Sequence, residues 1–145
     1  MGRINWTRVI TGGLLAGLVI NIVESVSAMM YMDEMKAALE AHQLTMNESP
    51  GMMVFWIIYG FILGIAAVWL YASIRSRFGA GPKTAVISGV AFWFIGYFLP
   101  IIGWSSIGLY STGMLTRWAI LGLIEMIIAT LAGAWVYKEE ESAAA

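Results

Sequence analysis

Two carboxylates stand in stretches of sequence that are otherwise apolar: Glu24 near the N-terminus and Glu125 near the C-terminus. At membrane depth an ionisable side chain costs several kcal/mol, so it marks a functional site or a specific partner by default. Gly13, Gly17, Asn21, Glu24 and Ala28 follow steps of three and four residues along one helix face. Gly122, Glu125, Ala129 and Gly133 do the same. Such stripes of small residues are the surfaces through which membrane helices approach closely. Both carboxyls are therefore expected to point into a bundle or a subunit contact, not at lipid. No Lys or Arg lies at their depth to neutralise them. Three readings stay open. The pair could bind and release protons or cations in transport. They could be neutral acids bonding between helices, with Asn21 one turn from Glu24 as the expected partner. Or they could hold a polar cofactor or a lipid headgroup, although no cofactor motif accompanies them.

A second constellation is softer. Seven of the ten methionines fall between Met29 and Met53, and Met29, Met32 and Met35 are spaced three apart with His42 nearby. Thioethers suit Cu(I), so these four residues form a candidate copper site; the plainer reading is methionine as a flexible gap filler. His42 is the single histidine and there is no cysteine, which excludes bis-His haem, His-rich zinc centres and thiolate chemistry. Ser25, Ser27, Ser88 and Ser105 lack a histidine partner, and no nucleophile elbow, phosphate loop or dinucleotide fingerprint is present. The chain is not expected to be an enzyme, and its net charge of -1 gives no footprint for nucleic acid.

Composition dictates the elements that must position these residues. Of the 145 residues 60% are hydrophobic and 12% charged, half the charged fraction of a soluble domain, with mean hydropathy +0.80. Crossing the hydrocarbon takes ~20 mostly apolar residues, and four runs qualify: 7–31, 50–74, 84–104 and 115–137. In lipid every backbone polar group must be paired within its segment, so all four are helices. The first run is too long for a signal peptide and is read as a retained span. Ser49-Pro50 reads as a helix start, Ser111 and Thr112 as candidate caps, and Gly79-Ala80-Gly81-Pro82 as a break. Pro100 should kink or end the third helix. The loop 32–48 is helix-forming, either as an extension of the first span or as a surface helix. The acidic tail from Glu139 onward is expected to fray. The expected fold is an all-α, single-domain membrane four-helix bundle.

Six basic residues (Arg3, Arg8, Arg75, Arg77, Lys83, Lys138) fall on one side of these spans and two (Lys36, Arg117) on the other. The positive-inside rule then puts both termini in the cytoplasm.

Helices two and four share marks. Trp56-Ile-Ile-Tyr-Gly60 matches Trp118-Ala-Ile-Leu-Gly122, and Trp69-Leu-Tyr71 matches Trp135-Val-Tyr137. A weaker match joins Leu15-Ala-Gly-Leu18 to Ile87-Ser-Gly-Val90. Two tandem helix pairs related by an axis along the membrane normal would produce this pattern; so would the recurrence of Trp, Gly and Tyr in any membrane helix. Gly13-x-x-x-Gly17 and Gly60-x-x-x-Gly64 specify close packing, within or between subunits. The stretch from Trp69 to Ala85 around the basic turn resembles the middle of an uncharacterised family of small bacterial four-helix membrane proteins. That resemblance implies a multi-pass protein of the bacterial inner membrane and no particular activity. The expected function is a homo-oligomeric transporter or channel using the intramembrane carboxylates. The alternative is an accessory subunit of a larger membrane complex.

The topology is open to direct test. Reporter fusions at residue 80 and at the C-terminus should report cytoplasm, and fusions near 42 and 110 the opposite side. An extracytoplasmic C-terminus would require an odd number of crossings and refute the four-span arrangement.

Overall fold

Each helix begins where the sequence offers an acceptor, or a proline, for the first unpaired N–H groups. The structure, a computed structural model, describes residues 3–139. Helix α1 (Trp6–Ala41) starts behind Asn5, whose side chain accepts from the Arg8 N–H at 3.1 Å. Ser49 caps α2 (Pro50–Phe78) by accepting from Met52. The third helix, α3 (Pro82–Ile107), opens on proline, and α4 (Thr112–Val136) opens behind Ser111, which accepts from Met114 at 3.1 Å. Gly79 (φ 85°) and Gly108 (φ 73°) end α2 and α3 in backbone conformations that favour glycine. All four helices are long and apolar enough to cross a membrane, so this is a multi-pass membrane protein folded as an all-α four-helix bundle.

At two boundaries one of the alternatives left open by the sequence is realised, for physical reasons. The segment after residue 31 is a continuation of α1 and not a separate surface helix, because nothing between Tyr31 and Ala41 interrupts the helical hydrogen bonds. Pro100 does not end α3. Just before it, Phe94–Phe98 form a π-helical turn in which the Leu99 N–H reaches back to the Phe94 carbonyl. Proline lacks an N–H and crowds the carbonyl four residues earlier. The widened turn absorbs that defect and lets the helix run on to Ile107. At the C-terminal end Glu139 pairs with Arg75 at 3.1 Å; the rest of the expected frayed tail lies outside the described residues.

The start of α1 at Asn5, the end of α4 at Tyr137 and the 79–81 turn lie at one end of the bundle, hereafter the terminal end. Here the helices pack hard. A Cβ on Gly13 would sit 2.5 Å from the Ile65 Cα, and one on Gly17 would sit 2.7 Å from the Phe61 Cα. One on Gly64 would strike the Gly17 backbone. Gly13, Gly17, Gly60 and Gly64 thus seat α1 against α2 within one chain. On the neighbouring face of α1, Gly12 and Ala16 meet Gly133 of α4. Val9, Ala16, Val68, Ala85 and Ala129 are fully buried here.

The contacts come in matched sets. Gly17 of α1 lies against the Phe61 Cα and Gly60 carbonyl of α2; Gly89 of α3 lies against the Ile127 Cα and Met126 carbonyl of α4. Ala16 meets Gly133, and its counterpart Ser88 donates to the Ala67 carbonyl at 3.3 Å. The capping residue of α1, Asn5, donates its N–H to the Tyr137 hydroxyl; the capping residue of α3, Gly81, donates its N–H to the Tyr71 hydroxyl. Those two tyrosines meet edge to face, centroids 5.9 Å apart. Exchanging α1 with α3 and α2 with α4 carries one set onto the other.

At the far end this equivalence lapses. None of residues 50–59 of α2 or 94–107 of α3 is buried. Helices α1 and α4 stay together there: the Tyr31 ring meets Trp118 at 5.4 Å, Ser111 donates to Glu34 at 2.7 Å, and Arg117 pairs with Glu34. Lys36 pairs with Glu48 across the loop.

Since Gly64 abuts backbone and Gly103 has nothing within 4 Å of an added Cβ, the two should respond oppositely to alanine. Gly64→Ala should cost roughly 1–3 kcal/mol by overpacking, read as a lower melting temperature at unchanged particle size, while Gly103→Ala should be neutral. Equal melting temperatures would contradict the α1–α2 seat.

Candidate functional site

Glu125 is 1% exposed, and Glu24 is half-buried. They reach each other because α1 and α4 run antiparallel: Gly12 meets Gly133 at one end, and Glu34 meets Arg117 at the other. Side chains on a helix lean toward its N-terminus. Glu24 therefore leans toward the terminal end and Glu125 toward the far end, which brings the two carboxyls near enough to interact electrostatically.

Each carboxyl also takes a phenol. Tyr31 donates to the Glu24 Oε2 at 2.9 Å, and Tyr97 donates to the Glu125 Oε1 at 3.0 Å. Tyr31 lies two turns beyond Glu24 on the same helix and so shares its face. Tyr97 arrives from α3, inside the π turn. One residue more in a turn rotates the remainder of the helix by ~100°, which decides the face of α3 on which Tyr97 stands. Gly122, one turn before Glu125, makes room for it: a Cβ there would sit 2.6 Å from the Tyr97 ring. Gly122 is thus part of the site's construction and not only a packing residue.

Asn21 is not the partner of Glu24 that the sequence suggested. Its amide donates to the Gly17 carbonyl at 2.8 Å and to the Ile57 carbonyl of α2 at 3.2 Å. The reason is local. Gly60 leaves a gap into which the Asn21 amide fits, since a Cβ on Gly60 would lie 2.7 Å from its nitrogen. There it finds two carbonyls without leaving its own helical turn. Asn21 ties α1 to α2 below the carboxyl pair.

No cation answers the two acids. Among the described residues the ion pairs are Lys36 with Glu48, Arg75 with Glu139, and Arg117 with Glu34, all remote from the pair. On the far side the layer is roofed by rings: Tyr31 on Trp118, Trp118 on Tyr110, and Tyr110 on Trp104. Two acids this close cannot both stay ionised without something positive between them. Chemically, the arrangement offers carboxyl and phenol oxygens to a proton or a small cation.

The candidate copper residues lie elsewhere. Met29 is 85% exposed, whereas Met32 and Met35 are half-buried. His42 follows the end of α1, and its ring Nδ1 faces the Ala38 carbonyl at 2.8 Å. Among the described residues no three His, Asp or Glu side chains converge as metal ligands. Sequence reasoning missed Tyr31 and Tyr97 as site residues. The signal was available for Tyr31, a hydroxyl seven residues past a buried carboxylate. For Tyr97 the only hint was Pro100, because its face depends on the π turn.

The chain matches no family model, no curated protein and no solved structure.

Proposed function

We propose that this protein binds and releases protons or small cations within the membrane through the Glu24–Glu125 pair, as a homo-oligomeric transporter or channel. The observation that carries the reading is the meeting of two carboxyls from different helices with phenol donors on both and no basic side chain to satisfy them. A purely structural contact would be served as well by one acid and an amide. Two acids add like-charge repulsion that only a proton or cation relieves, and that relief is what a transport site exchanges.

The glycine-lined seats are used within one chain and bring backbones together at the terminal end. A path across the membrane is accordingly expected between copies, along α2 and α3, whose far halves the chain itself leaves uncovered. The basic balance of the loops supports termini in the cytoplasm, and the resemblance of the central turn supports a bacterial inner membrane.

Glu→Gln separates this reading from a structural one, because glutamine keeps the shape and most of the hydrogen bonding while removing the titrating group. Purified protein in liposomes loaded with a pH-sensitive dye would be compared with Glu24→Gln, Glu125→Gln and the double variant, each under an imposed proton, Na⁺ or K⁺ gradient. Flux should fall roughly a hundredfold, the scale on which positioned proton-transfer groups act, at little change in melting temperature. Undiminished flux in the double variant would overturn the proposal.

A further inference from the structure

The matched contacts of the two helix pairs define which residues are equivalent, and that equivalence can be followed up to the carboxyl layer. Phe61 of α2 corresponds to Ile127 of α4, as each lies under the same glycine of its partner helix. Two residues earlier on each helix are Tyr59 and Glu125. Gly17 of α1 corresponds to Gly89 of α3. Seven residues past Gly17 is Glu24. Eight past Gly89, counting the one extra residue that the π turn inserts, is Tyr97. The layer therefore holds one acid and one phenol from each helix pair: Glu24 and Tyr59 from the first, Tyr97 and Glu125 from the second. Without the π turn the residue at this position would be Gly96, and the correspondence would fail.

In the second pair the phenol bonds the acid, Tyr97 to Glu125 at 3.0 Å. The matching bond in the first pair runs from Tyr59 to Glu24. In this structure Glu24 takes the Tyr31 hydroxyl instead. Tyr59 stands 42% exposed in the uncovered half of α2, its ring stacked on Phe55 at 6.1 Å and edge-on to Trp56 at 5.7 Å. The titratable groups seen at this layer are Glu24 and Tyr31 from α1, Tyr97 from α3 and Glu125 from α4, and the matched contacts put Tyr59 of α2 at the same level.

We propose that Tyr59 is a further binding residue of the site, donating its hydroxyl to Glu24 when the far half of α2 closes over the layer, as Tyr97 donates to Glu125. The site then presents two carboxyls and three phenols, a set of oxygens suited to a proton or a small hard cation. The inference takes its ligand class from the proposed function, but the residue assignment rests on the matched helix contacts alone.

Carbodiimide labelling tests the assignment without needing transport, since the reagent attacks only protonated carboxyls and the sites can be read by peptide mass spectrometry. A hydroxyl donating to a carboxylate stabilises its ionised form. Tyr59→Phe should therefore speed labelling of Glu24 several-fold at fixed pH and leave Glu125 nearly unchanged. Tyr110→Phe, which removes a phenol outside the layer, should change neither. An unchanged Glu24 rate in Tyr59→Phe would overturn the proposal, as would an equal rise at both acids. Labelling that behaves as expected in a protein showing no flux in liposomes would instead uphold Tyr59 and count against the transport reading.

Discussion

Two carboxyl groups held together in a water-poor layer with no basic side chain beside them form the constraint around which this molecule is arranged. Removing a charge from water is costly unless it is paired and hydrogen-bonded, and a like charge nearby adds to the cost. Every neighbour of the pair addresses that cost. Tyr31 and Tyr97 give each acid a donor, and a proton or cation must supply the rest. The membrane setting sharpens the requirement, because no solvent at this depth can take over a bond that the protein fails to make.

The rest of the fold can be understood as the machinery that brings the pair together. Close α1–α2 and α1–α4 seats at the terminal end, built on Gly13, Gly17, Gly64, Gly12 and Gly133, fix where α1 stands. Its length then carries Glu24 to the level of Glu125. The clamp of Tyr71, Tyr137 and Arg75, whose guanidinium carbon lies 5.8 and 5.1 Å from the two ring centroids, locks this end. The far end is bound more loosely, with α2 and α3 uncovered. Under the proposed exchange, access to the pair would change in the uncovered half, away from the contacts that position it.

Much of this was legible in the residues and some was not, for reasons that differ by element. The four spans were plain because lipid permits only helices of a certain length, and Ser49, Ser111 and the prolines mark their starts. Glu24 and Glu125 were plain because charge inside an apolar run is rare. Their meeting was not, since a sequence gives the face of a helix but not the neighbour that face will find. The stripes of glycine were visible as packing surfaces, yet only the structure assigns them to contacts within one chain. Asn21 was paired with Glu24 on spacing alone, and the gap at Gly60 gave its amide two nearer carbonyls. Tyr97 was hidden because its face is set by a one-residue π insertion. The expected tandem repeat rested on shared Trp, Gly and Tyr marks; the matched contacts of Gly17 with Gly89 and of Tyr71 with Tyr137 agree with the Trp69–Tyr71 and Trp135–Tyr137 marks. Gly60, however, matches Met126 and not Gly122, so the Trp56–Gly60 and Trp118–Gly122 marks stand one helical turn out of register.

Infrared spectroscopy of the protonated-carboxyl stretch, in purified protein titrated across pH and with added cation, addresses the carboxyl pair most directly. An exchangeable proton between Glu24 and Glu125 predicts a band that diminishes as pH rises or as a bound cation replaces the proton, and that Glu125→Gln removes. A carboxyl band that persists unchanged through the whole range would mean a permanent neutral hydrogen bond, and would contradict the reading of this layer as a site of reversible binding.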